Sequence, residues 1–320
     1  MDTYKKYDTT LENLKETLNT YGVATIPNVL NHEELETHRA ELWTLLNKLT
    51  ENMEKPITQE DPSSWKSYFN LIPKKGMLLQ NFGIGHSQLA WNIRQNPKVA
   101  TVFSQLWDVP KEELLTSFDG MSWQPAHEVT GKGHMVKSWF HCDQSFTNNN
   151  LRCYQGQVLL YDANVGDATL RILEKSHKYH GECGKHFKIT DKADWYKLTK
   201  EEEEYYREKG CEDHSVLTKA GSLVLWDSRT IHQGQVSLRH RLEQKNRCVV
   251  YVCMTPRSWS SPKDINKKIK AFQEQRSTAH WPHKIKLFPK KPQTYGAPMP
   301  NVPPLDTPVL TDLGTRLAGL

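Results

Sequence analysis

The sequence has few cysteines and no long apolar stretch. Its six cysteines in 320 residues are too sparse for a disulfide-stapled secreted domain. The longest apolar runs, at 158–161, 223–226 and 249–252, have the length of strands and fall far short of a membrane span. The N-terminus lacks the apolar core of a signal peptide, and no Asn-x-Ser/Thr sequon occurs. We therefore expect a cytoplasmic protein with reduced thiols and no membrane span.

Positive charge is concentrated in one segment. The net charge is +5, and residues 256–291 hold ten Lys or Arg against two acidic residues. Such a segment can contact nucleic acid or acidic lipid, but no nucleic-acid-binding motif accompanies it. We interpret it as a solvated face and do not expect nucleic-acid binding.

The pattern of residues changes along the chain, from one typical of helices to one typical of short strands. Residues 1–114 are predicted to be largely helical, with a helix over 9–20, one capped by Asn31 and more helix over 87–107. Residues 115–260 contain short β runs separated by Gly, Pro, Asn and Asp, which is typical of antiparallel sandwiches and barrels. The predicted strands lie at 115–118, 134–141, 155–161, 169–173, 215–217, 223–226 and 248–254.

Two segments interrupt or follow this β region. Residues 174–214 form a long insertion whose acidic helix has a capping box at Thr199 and Glu202, and long excursions of this kind are often lids. Residues 261–320 are basic and proline-rich, which predicts an extended wrap or a tail. We expect one domain over residues 1–320.

A metal-ligand pattern lies within the β region. His141 and Asp143 end a β run at positions i and i+2, so their side chains project to one face. His232 closes the run that begins at Leu223 and supplies a third ligand. Two histidines and one carboxylate form the facial triad of non-haem Fe(II) oxygenases, which leaves coordination positions open. His-x-Asp/Glu alone is weak evidence, as the unrelated pair His180 and Glu182 shows.

An arginine follows the second histidine. Arg247 enters the strand after His232, where a guanidinium can hold the far carboxylate of a metal-chelating 2-oxo acid through two parallel hydrogen bonds. Arg241 and Arg239 are the competing candidates, although they lie in a polar loop.

These residues resemble the phytanoyl-CoA dioxygenase-like family of Fe(II)/2-oxoglutarate-dependent oxygenases. The resemblance runs from about residue 11 to residue 282 and includes 21–27, the His141/Asp143 pair, 174–178, and 220–223 leading to His232. It implies a mainly β, α+β fold with flanking helices around a double-stranded β-helix (a jelly roll, cupin-like), with the two metal-bearing strands adjacent in the smaller sheet. It also implies that Gln124 contacts the cosubstrate.

The resulting hypothesis is a non-haem Fe(II) dioxygenase that uses O2, with ascorbate as a supporting reductant. It would couple oxidative decarboxylation of 2-oxoglutarate to hydroxylation of a small-molecule substrate. Trp123 and Trp139 flank the metal-bearing strand and are candidates for the substrate pocket. Neither the substrate's identity nor the oligomeric state has a signature in the sequence.

Two alternatives stay open. A cupin-type metalloenzyme would bind its substrate directly, without 2-oxoglutarate. A non-enzymatic, zinc-bearing interaction module would use the insertion, where cysteines and histidines have ligand-like spacing. Those residues are His180, Cys183, His186, Cys211 and His214.

Overall fold

The computed structural model describes residues 5–132, 137–239, 241 and 243–320. Its α-helices are α1 (Leu14–Tyr21), α2 (His32–Thr50), α3 (Gln88–Arg94), α4 (Pro97–Trp107), α5 (His127–Thr130), α6 (His180–His186), α7 (Lys200–Glu208), α8 (Pro262–Gln273) and α9 (Asp312–Ala318). Its strands are β1 (Val23–Ile26), β2 (Leu78–Leu79), β3 (Leu114–Thr116), β4 (Met121–Gln124), β5 (His141–Cys142), β6 (Tyr154–Leu159), β7 (Thr169–Leu173), β8 (Tyr196–Lys197), β9 (Asp213–Ser215), β10 (Leu223–Asp227), β11 (His232–Gln235) and β12 (Arg247–Pro256).

Two antiparallel sheets form the centre of the molecule. The larger sheet has the order β1-β10-β6-β12-β4-β2, with β3 also paired to β12, and the smaller has the order β8-β5-β11-β7-β9. Neighbours in each sheet are distant in sequence, because the chain winds back and forth between the sheets. This arrangement is a double-stranded β-helix with flanking helices, as predicted.

Alternation along the strands of the larger sheet separates two cores. On β10, Leu223 and Leu225 pack outward with the N-terminal helices, whereas Val224 and Trp226 point inward. The inward residues meet Leu170 of β7 from the smaller sheet. Residues at i and i+2 of a strand share a face, so this pattern makes one side of the sheet the helix support and the other the barrel interior.

Helix α2 shows how the N-terminal support forms. The Asn31 side chain accepts a hydrogen bond from the Glu34 N–H, while the Glu34 carboxylate accepts one from the Asn31 N–H. This capping box confirms the predicted start of the helix. One face of the helix is then buried against the core, through Leu35, Leu42, Leu45, Leu46 and Leu49.

The insertion is part of the smaller sheet. Its strand β8 pairs with β5, and β9, at the insertion's C-terminal end, pairs with β7. Strand β9 lies slightly earlier than the strand predicted at 215–217. Of the strand predicted at 134–141, residues 137–140 are not in a strand and β5 begins at His141, while 134–136 lie outside the described residues.

The C-terminal segment contacts the core at several points. The Asn81 amide donates to the Pro289 carbonyl, and the Gln95 side chain accepts a hydrogen bond from the Thr311 N–H. Within the described part of the chain, no helix has the length and apolar character that crossing a membrane requires. The division of the chain at residues 114, 260 and 261 stays a prediction.

Candidate active site

The two histidines of the predicted triad lie directly opposite each other. His141 of β5 pairs in register with His232 of β11, the adjacent strand of the smaller sheet. Directly paired residues point to the same face of a sheet, so both imidazoles project to one side. Asp143, two residues after His141, projects to that side as well.

The ligand atoms of the three side chains converge. Asp143 Oδ2 lies 3.7 Å from His141 Nε2 and 3.3 Å from His232 Nε2. The ligand atoms all lie within 4.8 Å of one another. A tetrahedral or octahedral ion with ligand bonds of about 2 Å needs spacings of this size.

Backbone carbonyls orient both imidazoles. His141 Nδ1 lies 3.3 Å from the Trp139 carbonyl, and His232 Nδ1 lies 2.9 Å from the Thr230 carbonyl. A carbonyl oxygen can only accept, so each Nδ1 carries the proton and donates it. The lone pair of each neutral ring therefore lies on Nε2, the atom that faces Asp143.

Burial and neighbouring groups shift the pKa of two members of the triad. Burial, together with nearby His232, lowers the pKa of His141. Burial disfavours the Asp143 carboxylate, but His141 and His232 outweigh it and hold the pKa of Asp143 well below its usual value. A metal ligand must be a neutral imidazole or an ionised carboxylate, so both shifts are in the direction that ligation requires.

The donor set fits Fe(II). Two imidazole nitrogens and one carboxylate oxygen on one face match the preference of non-haem iron and leave coordination positions for other ligands. Among the described residues, no other group of three His, Cys, Asp or Glu side chains could hold a metal ion. The described part of the chain thus has one candidate centre, at the triad predicted from the sequence.

Residues 18–237 match the family model described as phytanoyl-CoA dioxygenase (PhyH). The chain belongs to the phytanoyl-CoA dioxygenase family. Membership and the triad together make it an enzyme that depends on iron and 2-oxoglutarate.

Individual relatives are distant. Ava biosynthesis cluster protein O of Aspergillus versicolor is 25% identical over 241 residues, which cover 73% of this chain and 75% of the relative. A putative oxidoreductase from Salmonella typhimurium LT2 superposes with a TM-score of 0.62 at 13% identity, covering 98% of this chain and 86% of the other, and so shares the fold. HygX from Streptomyces hygroscopicus, solved with nickel and 2-oxoglutarate, matches with a TM-score of 0.46 at 14% identity over 78% of this chain and 87% of its own.

Arg247 lies inside the barrel, next to Gln157. Its side chain is buried, and Nη2 donates to Gln157 Oε1 at 3.2 Å. It forms no ion pair with any described carboxylate, and its Nε has no hydrogen-bond partner among the described residues. A buried guanidinium left this way is costly, which favours the binding of an anion beside it. Gln124, its register partner on β4, has a buried Oε1 to which no described residue donates a hydrogen bond.

Arg241, the competing candidate, has a different role. Its guanidinium donates to both carboxylate oxygens of Glu128, at 2.8 and 2.9 Å, and to Asp167 Oδ1 at 3.0 Å. Only 2% of its side chain is exposed. These hydrogen bonds connect the loop before β12 to α5 and to the turn before β7. Of the two buried arginines considered for the cosubstrate, Arg247 is therefore the one without a carboxylate partner among the described residues. Arg239 is exposed.

The two tryptophans predicted to line the pocket lie in different parts of the structure. Trp139 stacks on the His141 ring, with centroids 4.9 Å apart and planes 8° apart, so it lies at the site. Trp123 does not. It alternates with Gln124 on β4 and points to the opposite face, where it is fully buried against Tyr68 and Trp43. The pocket role predicted for Trp123 is therefore wrong, because the alternation of β4 turns it into the helix-side core.

The zinc site considered for the insertion is also wrong. His180, Cys183, His186, Cys211 and His214 are all described, yet they do not gather into a metal-binding group. His180 stacks on Phe146, His186 on Tyr205, and His214 is a partly exposed neighbour of Glu212. Their spacing in sequence is metal-like, but Cys183 and Cys211 pack in a small hydrophobic core, whereas His186 is exposed and His214 partly exposed.

The buried histidines predict how stability depends on pH. Burial lowers the pKa of His180 to about 4, and likewise that of His283. Between pH 6.5 and 4 these histidines are protonated in the unfolded chain but not in the folded one. Their contribution to the free energy of unfolding is therefore fully present above pH 6.5 and decreases as the pH falls toward 4. We expect each histidine to remove up to about 1.4 kcal/mol of unfolding free energy per pH unit in this window. Urea titrations at several pH values would measure it.

The variant His180→Gln is the control for that titration. It cannot be protonated, so its stability should fall less steeply between pH 6.5 and 4 than that of the wild type. An unchanged slope would mean that His180 is not held neutral by the fold.

Sequence reasoning missed two residues of the site. Gln157 contacts Arg247, and a signal existed, because Gln155 and Gln157 place polar side chains on one face of an otherwise buried strand. Trp195 lies 5.8 Å from the His141 ring, measured between centroids. It had no local signal, since its position depends on the pairing of β8 with β5.

Proposed function

We propose that the protein is a 2-oxoglutarate-dependent dioxygenase that hydroxylates a C–H bond of a small organic molecule, with iron bound by His141, Asp143 and His232. The balanced reaction converts the substrate, 2-oxoglutarate and O2 to the hydroxylated product, succinate and CO2. The observation that carries the proposal is the convergence of three ligand atoms in the same barrel as Arg247, a buried cation that pairs with no carboxylate of the described residues.

The chain's own residues would prepare this reaction. Bound iron would supply the activation of O2 and the coupling of 2-oxoglutarate oxidation to substrate oxidation. Arg247 would hold the distal carboxylate of 2-oxoglutarate, while the amides of Gln157 and Gln124 complete its polar surroundings. Trp139 covers one face of His141 and helps to exclude water from the ligand.

We also propose a cytoplasmic location. All six cysteines are buried and unpaired, which suits a reducing compartment. Such a compartment would also keep iron in the ferrous state.

The test is succinate formation by the purified protein supplied with 2-oxoglutarate, ascorbate and Fe(II). Enzymes of this class slowly turn over the cosubstrate without their true substrate, so we expect succinate above the protein-free control. The signal should vanish when Fe(II) is replaced by Zn(II) or removed by a chelator, because zinc cannot change oxidation state. If calorimetry showed no 2-oxoglutarate binding to the Mn(II)-loaded protein, the proposal would fail and a metalloenzyme that binds its substrate directly would replace it.

A further inference from the structure

The strand register places Trp195 at the metal site. Strand β8 pairs with β5, so that Lys197 lies opposite His141 and Tyr196 opposite Cys142. Trp195 is two residues from Lys197, so alternation along the chain places its side chain on the same face as Lys197. Opposed residues share a face of the sheet, so the indole projects to the side on which the triad lies. The centroid distance of 5.8 Å between Trp195 and His141 agrees with this position.

The backbone around Trp195 is held from both sides. On one side, Asp194 Oδ1 accepts a hydrogen bond from the Ser145 N–H at 3.4 Å and lies 3.6 Å from Arg152 Nη1. On the other side, the Tyr196 hydroxyl donates to Glu202 Oε1 at 2.7 Å. The residues on both sides of Trp195 are therefore held by side-chain contacts to other parts of the chain.

The indole itself is left uncovered. Trp195 is 51% exposed, and its one ring contact among the described residues is with the His141 imidazole. Trp259, which is 44% exposed, differs because Trp107 and His283 pack against it at centroid distances of 4.9 and 5.5 Å. Trp195 thus offers an aromatic face beside a metal ligand, and no second ring among the described residues packs on it.

We propose that Trp195 is a substrate-positioning residue that stacks on a flat, unsaturated ring of the substrate, with Trp139 forming the inner wall of the same aromatic pocket. An indole gains more from stacking on a flat π-system than from contact with a puckered saturated ring of equal size. The substrate class is therefore a ring-bearing aromatic or conjugated molecule. The inference rests on the proposed function for the placement of that ring next to the reacting centre.

The test compares two probes that share a carbon skeleton and one hydroxyl group, the flat aromatic 2-naphthol and the puckered saturated decahydro-2-naphthol. Equilibrium dialysis against the full-length protein, both metal-free and loaded with Mn(II) and 2-oxoglutarate, gives the ratio of their affinities. We expect the wild type to prefer 2-naphthol by about five- to tenfold, the size of an aromatic stacking contribution. Trp195→Ala should lose most of this preference, whereas Trp195→Phe should keep a good part of it.

Trp259→Ala is the matched control, since it removes an indole of similar exposure whose ring meets Trp107 and His283 edge-on. It should retain the wild-type preference. No preference in the wild type, or an undiminished one in Trp195→Ala, would overturn the inference. Failure of the Mn(II)-loaded protein to bind 2-oxoglutarate would instead overturn the proposed function, because the metal-free comparison still decides the role of Trp195.

Discussion

Replacing His141 with alanine is expected to abolish iron-dependent succinate formation. His141 Nε2 is one of three ligand atoms around the candidate centre, and its loss leaves His232 and Asp143 as a two-ligand site. Removing a partner from the outer shell of a metal site costs roughly 10- to 100-fold in affinity or activity, so loss of a direct ligand should cost more. The measurement is iron content after reconstitution together with the succinate assay.

His180→Ala is the control for this experiment. His180 is also a buried histidine, but its Nε2 lies 3.2 Å from the Gln144 carbonyl and the residue has no place in the triad. Its replacement should lower the melting temperature while iron binding and succinate formation per folded molecule remain. Equal iron content in the wild type and in His141→Ala would contradict the assignment of the metal centre.

Replacing Arg247 with methionine is expected to remove most of the affinity for 2-oxoglutarate. Truncating one partner of a buried, hydrogen-bonded charge pair costs about 2–5 kcal/mol, or roughly 30-fold to several thousand-fold in the dissociation constant. In the cosubstrate-free protein, however, Arg247 is a buried cation without a carboxylate among the described residues. Methionine should therefore leave the unfolding free energy unchanged or raise it. Calorimetry with Mn(II)-loaded protein and urea unfolding would measure the two effects.

Arg241→Met should show the opposite pattern. It would leave Glu128 and Asp167 without their shared cation, and breaking a buried ion pair in this way costs about 3–5 kcal/mol of stability. Its affinity for 2-oxoglutarate should stay close to that of the wild type in the folded fraction. If Arg241→Met lost cosubstrate binding and Arg247→Met kept it, the two roles would be reversed.

The metal triad could be predicted because its signal is local. His141 begins β5 and Asp143 follows just after that strand, whereas His232 begins β11, since the predicted run from Leu223 ends as β10 at Asp227. Because side chains alternate in direction along an extended chain, His141 and Asp143 project to one face. The chemistry of the three side chains restricts the metal, whatever the neighbouring strands are. The capping box of α2 was predictable for the same reason, since Asn31 and Glu34 satisfy each other within a single turn.

The aromatic residues were harder to place. Alternation along a strand separates its side chains into two sets on opposite faces, but it does not say which face becomes the barrel interior. Trp123 and Gln124 are neighbours on β4, yet one meets the helices and the other meets Arg247. Which face becomes the barrel interior depends on where the smaller sheet packs. Trp139, in contrast, is tied to His141 by a separation of only two residues.

The sequence by itself determined the β-rich character of the region that holds the site, the ligand types and the family. Only the tertiary structure decided which arginine is available, where the insertion's histidines and cysteines lie, and that Trp195 faces the metal site. The physical reason is distance along the chain. The carboxylates that occupy Arg241 are 113 and 74 residues away, and β8, the strand that brings Trp195 beside the metal-bearing strand, comes from the middle of the insertion. Ion pairs and registers between such distant segments are set by packing, which no local pattern contains.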